Sequence, residues 1–82
     1  MDARKRVAEM TLRELLRFKM LDYGYTSVCD FADMLGVSWQ HMFKLLAGQF
    51  SAIGIETRRA IVQRLDVSPD VLSQAIFNEW EE

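Results

Sequence analysis

The stretch from Val28 to Gly48 constrains this chain more than any other. Phe31 and Leu35 before a glycine, and Met42 and Leu45 after it, recur at helical spacing, so two short helices each present one apolar stripe to a shared core. Gly36 ends the first helix within a single residue, which calls for a backbone with positive φ. Ala32 stands where the second helix approaches the first, and a larger side chain would push them apart. Val37 fills the corner between them, and Ser38 is placed to cap the helix that follows.

Two helices joined this way form a helix-turn-helix. The set Phe31, Ala32, Leu35, Gly36, Val37, Met42 and Leu45 resembles the motif of the lambda-repressor/Cro-like (XRE-type) family of DNA-binding domains, from prokaryotes and phages. The resemblance extends beyond the motif. Leu65-Asp66-Val67-Ser68 followed by Leu72 looks like the corner between the fourth and fifth helices of such domains, so it covers about Leu12 to Ile76.

The rest of the chain reads as helix. Thr11-Leu12-Arg13-Glu14 has the form of a capping box. Leu12, Leu15, Leu16, Met20 and Tyr23 follow as an apolar stripe with Arg13 and Arg17 outside it, and Gly24 closes the helix. Ser27 opens the second helix, and the loop from Gln49 to Gly54 follows the third. A fourth helix spans 56–65, buried through Ile61, Val62 and Leu65. Ser68, Pro69 and Asp70 start a fifth at about 69–81, since proline at the first helical position loses no hydrogen bond and acid favours the positive helix end. The expected fold is therefore all-α, a five-helix lambda-repressor-like domain occupying residues 1–82. Arg4-Lys5-Arg6 is either a basic arm or the polar start of the first helix.

Composition narrows the function. One cysteine forms no internal disulfide, so a reducing cytoplasmic setting is expected, and Cys29 reads as a half-buried small residue. No apolar run approaches the ~20 residues that span a membrane, and nothing behind the basic start resembles a secretory signal. A net charge of −2 does not favour nucleic acid, but charge is unevenly placed. Between Met34 and Leu65, Lys44, Arg58, Arg59 and Arg64 oppose Glu56 alone, while Glu79, Glu81 and Glu82 gather at the end. His41 is the only histidine and has no companion at ligand spacing, and no phosphate-cradling glycine loop occurs. Neither an enzyme, a metal site nor a cofactor is expected.

The resemblance implies a sequence-specific transcriptional regulator, repressor-like and nucleoid-associated, that acts as a homodimer on a palindromic duplex operator. Helix 39–47 would enter the major groove with Ser38, Trp39, Gln40, Phe43 and Lys44 toward the bases and His41 beside them. A terminal amide pairs twice with adenine, which suits Gln40, and Lys44 would reach a phosphate or guanine. Gln49 and Ser51 fall in the loop that follows the DNA backbone, and Arg58 adds charge after it. Two positions depart from the family: Val28 stands where a phosphate-clamping glutamine is common, and Leu46-Ala47 where Glu-Asn often precedes the glycine.

Trp39 and Phe43, one turn apart, either cover the edge of the core or form an exposed aromatic pair. The second case supports an alternative function, a protein-binding module such as an antirepressor or regulatory partner. Val71, Leu72, Ala75, Ile76 and Trp80 recur along the last helix with Phe77 beside them. Ile76, Phe77 and Trp80 are expected to make the dimer, unless the two aromatics fold back on helix one of their own chain.

Overall fold

The computed structural model describes residues 9–49 and 53–81. These residues form five helices and no strand: α1 (Leu12–Asp22), α2 (Val28–Leu35), α3 (Trp39–Leu46), α4 (Ile55–Arg64) and α5 (Pro69–Glu81). Arg4, Lys5, Arg6 and Ser51 lie outside the described residues.

The helix starts follow the sequence. The Thr11 hydroxyl accepts from the Glu14 N–H, and the Glu14 carboxylate accepts from the Thr11 N–H at 3.0 Å, a complete capping box. Ser27, Ser38 and Ser68 accept from the N–H groups of Asp30, His41 and Val71, each about one turn on. The ends share one device. Gly36 takes φ 74°, its N–H reaches Asp33 O, and the Val37 N–H reaches back to Ala32 O at 3.0 Å. That pair of bonds satisfies carbonyls a helix end otherwise leaves open. The same pair of bonds closes α3 at Gly48 and α1 at Gly24, and past α4, where Asp66 is held at φ 53°, the Val67 N–H reaches back to Val62 O.

The most extensive helix contacts form a closed ring: α1 packs on α3 and α5, α2 on α3 and α4, and α4 on α5. Its interior holds Leu12 and Leu16 of α1, Phe31 and Leu35 of α2, Met42 and Leu45 of α3, Ile61 of α4 and Ile76 of α5, joined by Leu65. Ala32 is buried on α2. The radius of gyration, 11.9 Å, is that of a compact chain of this length, for which about 12 Å is expected.

Long polar side chains tie the ring at its joints. Arg17 donates to the Leu46 carbonyl at the end of α3, and Arg64 donates to the Met34 carbonyl at the end of α2. Glu79 of α5 accepts from the backbone N–H of Arg13 and pairs with its guanidinium, both at 3.1 Å. Asn78 donates to the Met10 carbonyl. Each bond links a side chain to the end of a different helix or its flanking residue, where unpaired backbone groups gather.

Several burial expectations are corrected. Tyr23 is exposed, because the helix stops at Asp22 and helical periodicity no longer aims its side chain inward. Cys29 is exposed, on the outer side of α2 with Asp33 one turn away. Val62 is only half-buried.

Candidate nucleic-acid interface

The α3 helix has two unlike faces. Met42, Leu45 and Leu46 point into the core, and Leu46 is the least buried of them at 5 % exposure. Trp39, Gln40, Phe43 and Lys44 are exposed, and His41 is half-buried at the margin. The helix is held at both ends, by the Ser38 cap and by the Arg17 bond to Leu46 O. A helix so fixed presents its outer side chains from a rigid base, which recognition requires.

On that outer face Gln40 and Lys44 lie one turn apart, an amide followed by an ammonium. Trp39 and Phe43 lie beside them, 51 % and 49 % exposed, with ring centroids 5.7 Å apart and planes at 90°. This edge-to-face contact is favourable for aromatic rings and orders both side chains. Each ring is about half exposed, so the pair forms an outward apolar edge. The Ser38 hydroxyl is taken up as the cap of α3, which leaves it a positioning role there. Gln49 is exposed just past Gly48.

The basic character of this region is weaker than the stretch from Met34 onward suggests. Asp30 and Asp33 are exposed on α2 immediately before it, and including them reduces the positive excess to one. Arg64, counted among the cations, is engaged with the Met34 carbonyl. Arg58 and Arg59 line a groove between α4 and α5 with Val62, Gln63, Pro69, Leu72 and Ser73, and no residue of α3 lines it.

Of the α5 residues expected at a dimer contact, Ile76 is 2 % exposed and belongs to the chain's own core, so it offers no surface to a partner. Phe77 and Trp80 are 54 % and 55 % exposed. The side of α5 toward α1 carries the Asn78 and Glu79 bonds, and the two rings project elsewhere. Glu79, which the sequence presents as one more repelling acid, is structurally engaged, with its side chain only 5 % exposed in the pair with Arg13.

Among the described residues no cluster of His, Cys, Asp or Glu could hold a metal ion, and no helix is long and apolar enough to cross a membrane. No family model matches the chain, and neither a curated protein nor a solved structure matches it. The residues themselves therefore carry the functional reading.

Proposed function

We propose that this protein is a lambda-repressor-like, sequence-specific duplex DNA-binding regulator of transcription that acts as a homodimer in the cytoplasm, at the nucleoid. The observation that carries the reading is the pairing of a glycine-ended turn with a pinned helix. Gly36 at φ 74° sets α2 against α3, and α3, fixed at both ends, turns Gln40 and Lys44 outward from a buried base. A helix with that footing suits the major groove, where an amide reads adenine and an ammonium meets guanine or phosphate. Trp39 and Phe43 would then lie against thymine methyl groups or sugar. One module buries too little surface for strong discrimination, and pairing over a palindrome supplies the rest.

The test is selection from a random duplex pool. The expected product is an inverted repeat with half-site centres about one helical turn, ~34 Å, or a multiple of it apart. Recovery of no enriched sequence removes the claim of specificity.

A second reading, a protein-binding module, is favoured by the same aromatic pair. Half-exposed, mutually ordered rings are what a partner surface would use as anchors. Trp39→Ala separates the two readings. A DNA-reading helix loses a modest contact, whereas an anchor's loss abolishes partner capture.

A further inference from the structure

The groove between α4 and α5 combines an apolar floor with a cationic wall. Arg58, Arg59, Val62 and Gln63 line it from α4, and Pro69, Leu72 and Ser73 from α5, around a recess of about 220 Å³. On each helix these residues recur one turn apart, which sets them along the two facing sides. Val62, Pro69 and Leu72 supply the apolar floor, and Leu72 belongs to the core beneath it. No acid lines the groove; Glu56, Asp66 and Asp70, the nearest in sequence, are exposed outside it. The other described arginines are struts: Arg13 pairs with Glu79, Arg17 with the Leu46 carbonyl and Arg64 with the Met34 carbonyl. Arg58 and Arg59 pair with no acid among the described residues. Opposite them stands the first turn of α5, the positive end of that helix dipole.

We infer that this groove binds a free aryl carboxylate, a flat apolar acid of about a dozen non-hydrogen atoms. Size sets the class. The recess, about 220 Å³, is smaller than the roughly 300–1,000 Å³ of sites that hold drug-sized ligands. Its α4 wall runs only from 58 to 63, about 8 Å of helix at 1.5 Å per residue, too short to seat a partner helix. Charge sets the head group. A guanidinium forks a carboxylate with two parallel hydrogen bonds, and the apolar floor beside it rewards a ligand that carries both parts. Bare phosphate would satisfy the arginines and leave that floor wet. The second arginine selects a ring over an alkyl chain, since a guanidinium stacks on an aromatic face. The ring then lies on Val62, Pro69 and Leu72, with one guanidinium on the carboxylate and the other over the ring.

This site goes beyond the reading of α3 and does not depend on it, because no α3 residue lines the groove. It assigns Arg58 to a small ligand instead of to a phosphate. The ligand touches α4 and α5 at once, so it binds the folded chain and raises its thermal midpoint. For a dozen atoms in an open groove, a dissociation constant of about 0.1–1 mM is expected.

A nuclear magnetic resonance titration of the full chain with 3-phenylpropionate tests it. Two controls divide the ligand: 3-phenylpropionamide keeps the shape without the charge, and acetate keeps the charge without the ring. The carboxylate should give saturable shifts centred on the Val62 and Leu72 methyls and the Gln63 and Ser73 amides. Each control should bind at least about tenfold more weakly. Arg58→Gln/Arg59→Gln should keep its helical circular dichroism and bind acid and amide alike. Ser73→Phe, at an exposed position that borders the recess, should fill it and lose both. Shifts that do not saturate by ~20 mM, shifts that spread over α1 to α3, or equal binding of acid and amide to the wild type overturn the inference. So does an acidic peptide with a central phenylalanine that binds where 3-phenylpropionate does not, since it gives the groove to a protein segment. No DNA is present, so failure here leaves the reading of α3 standing, and a chain that takes the carboxylate but ignores duplex loses only that reading.

Discussion

The outer faces of α3 and α5 each carry two half-exposed aromatic rings, yet their surroundings differ. On α3, Trp39 and Phe43 contact each other edge to face, with Gln40 and Lys44 alongside. On α5, Phe77 and Trp80 lie at the acidic end of a helix whose other end borders a groove with two arginines. Aromatic exposure alone does not define a partner; the polar groups within reach do. Amide and ammonium groups next to rings suit base edges and phosphates, whereas rings at the negative end of a helix do not suit a phosphate backbone.

The largest effect should come from the turn that positions α3. Gly36→Val forces a β-branched residue into φ 74°, although a Cβ there has room, its nearest neighbour being Arg64 at 3.9 Å. The cost is therefore conformational, ~2–3 kcal/mol. At roughly 4–8 °C per kcal/mol for a domain of this size, the thermal midpoint should fall by ~10–20 °C. Gly36→Asn should lose much less, since asparagine tolerates the left-handed region. A midpoint that Gly36→Val leaves unchanged would mean that the turn does not hold the two helices as described.

Next comes the polar reading on α3. On a selected site Gln40→Ala should weaken binding by ~1–3 kcal/mol and relax preference at one position. The same change should leave the thermal midpoint unchanged, since Gln40 is exposed, which separates the outer face of α3 from its core face. Equal losses on every sequence would reassign Gln40 to the backbone.

Smaller still is the strut between α1 and α5. Glu79→Gln removes the charge that pairs with Arg13 while leaving a side chain able to accept from its N–H. Arg13 is 41 % exposed, so solvent screens the pair, and the loss should be about 1 kcal/mol of stability by urea titration. A much larger loss would show that the end of α5 is held chiefly by this bond.

The local parts of this fold were legible because they depend on neighbours in sequence. Thr11 with Glu14, Ser38 before Trp39, Gly36 after Leu35 and the apolar stripes of α2 and α3 all act within a turn or two. The struts were not legible. Arg17 and Leu46 are far apart in the chain, as are Arg64 and Met34, and nothing local to either arginine names its carbonyl. Glu79 was misjudged for the same reason: beside Glu81 and Glu82 it looks like surplus charge, and only the arrival of α1 gives it a partner. Tyr23 and Cys29 failed differently, at the margin of a periodic pattern, where one residue more or less of helix decides which way a side chain faces. At the candidate site, the outward direction of Gln40 and Lys44 was legible, but the groove holding Arg58 and Arg59 needed the packing of α4 on α5.

The smallest effect expected is that of Lys44→Ala, which should weaken binding to all duplexes alike and lower the slope of log affinity against log salt by about one. The same titration tests the central claim most directly. A labelled random duplex is followed by fluorescence polarisation at low salt, with wild type and with Gln40→Ala/Lys44→Ala. Wild type should saturate the duplex with a dissociation constant below ~100 μM, weakening linearly in log salt, and the double variant should bind less tightly with a shallower slope. No binding by the folded wild type at that concentration, or identical curves for the two proteins, would contradict the assignment of the α3 face to DNA.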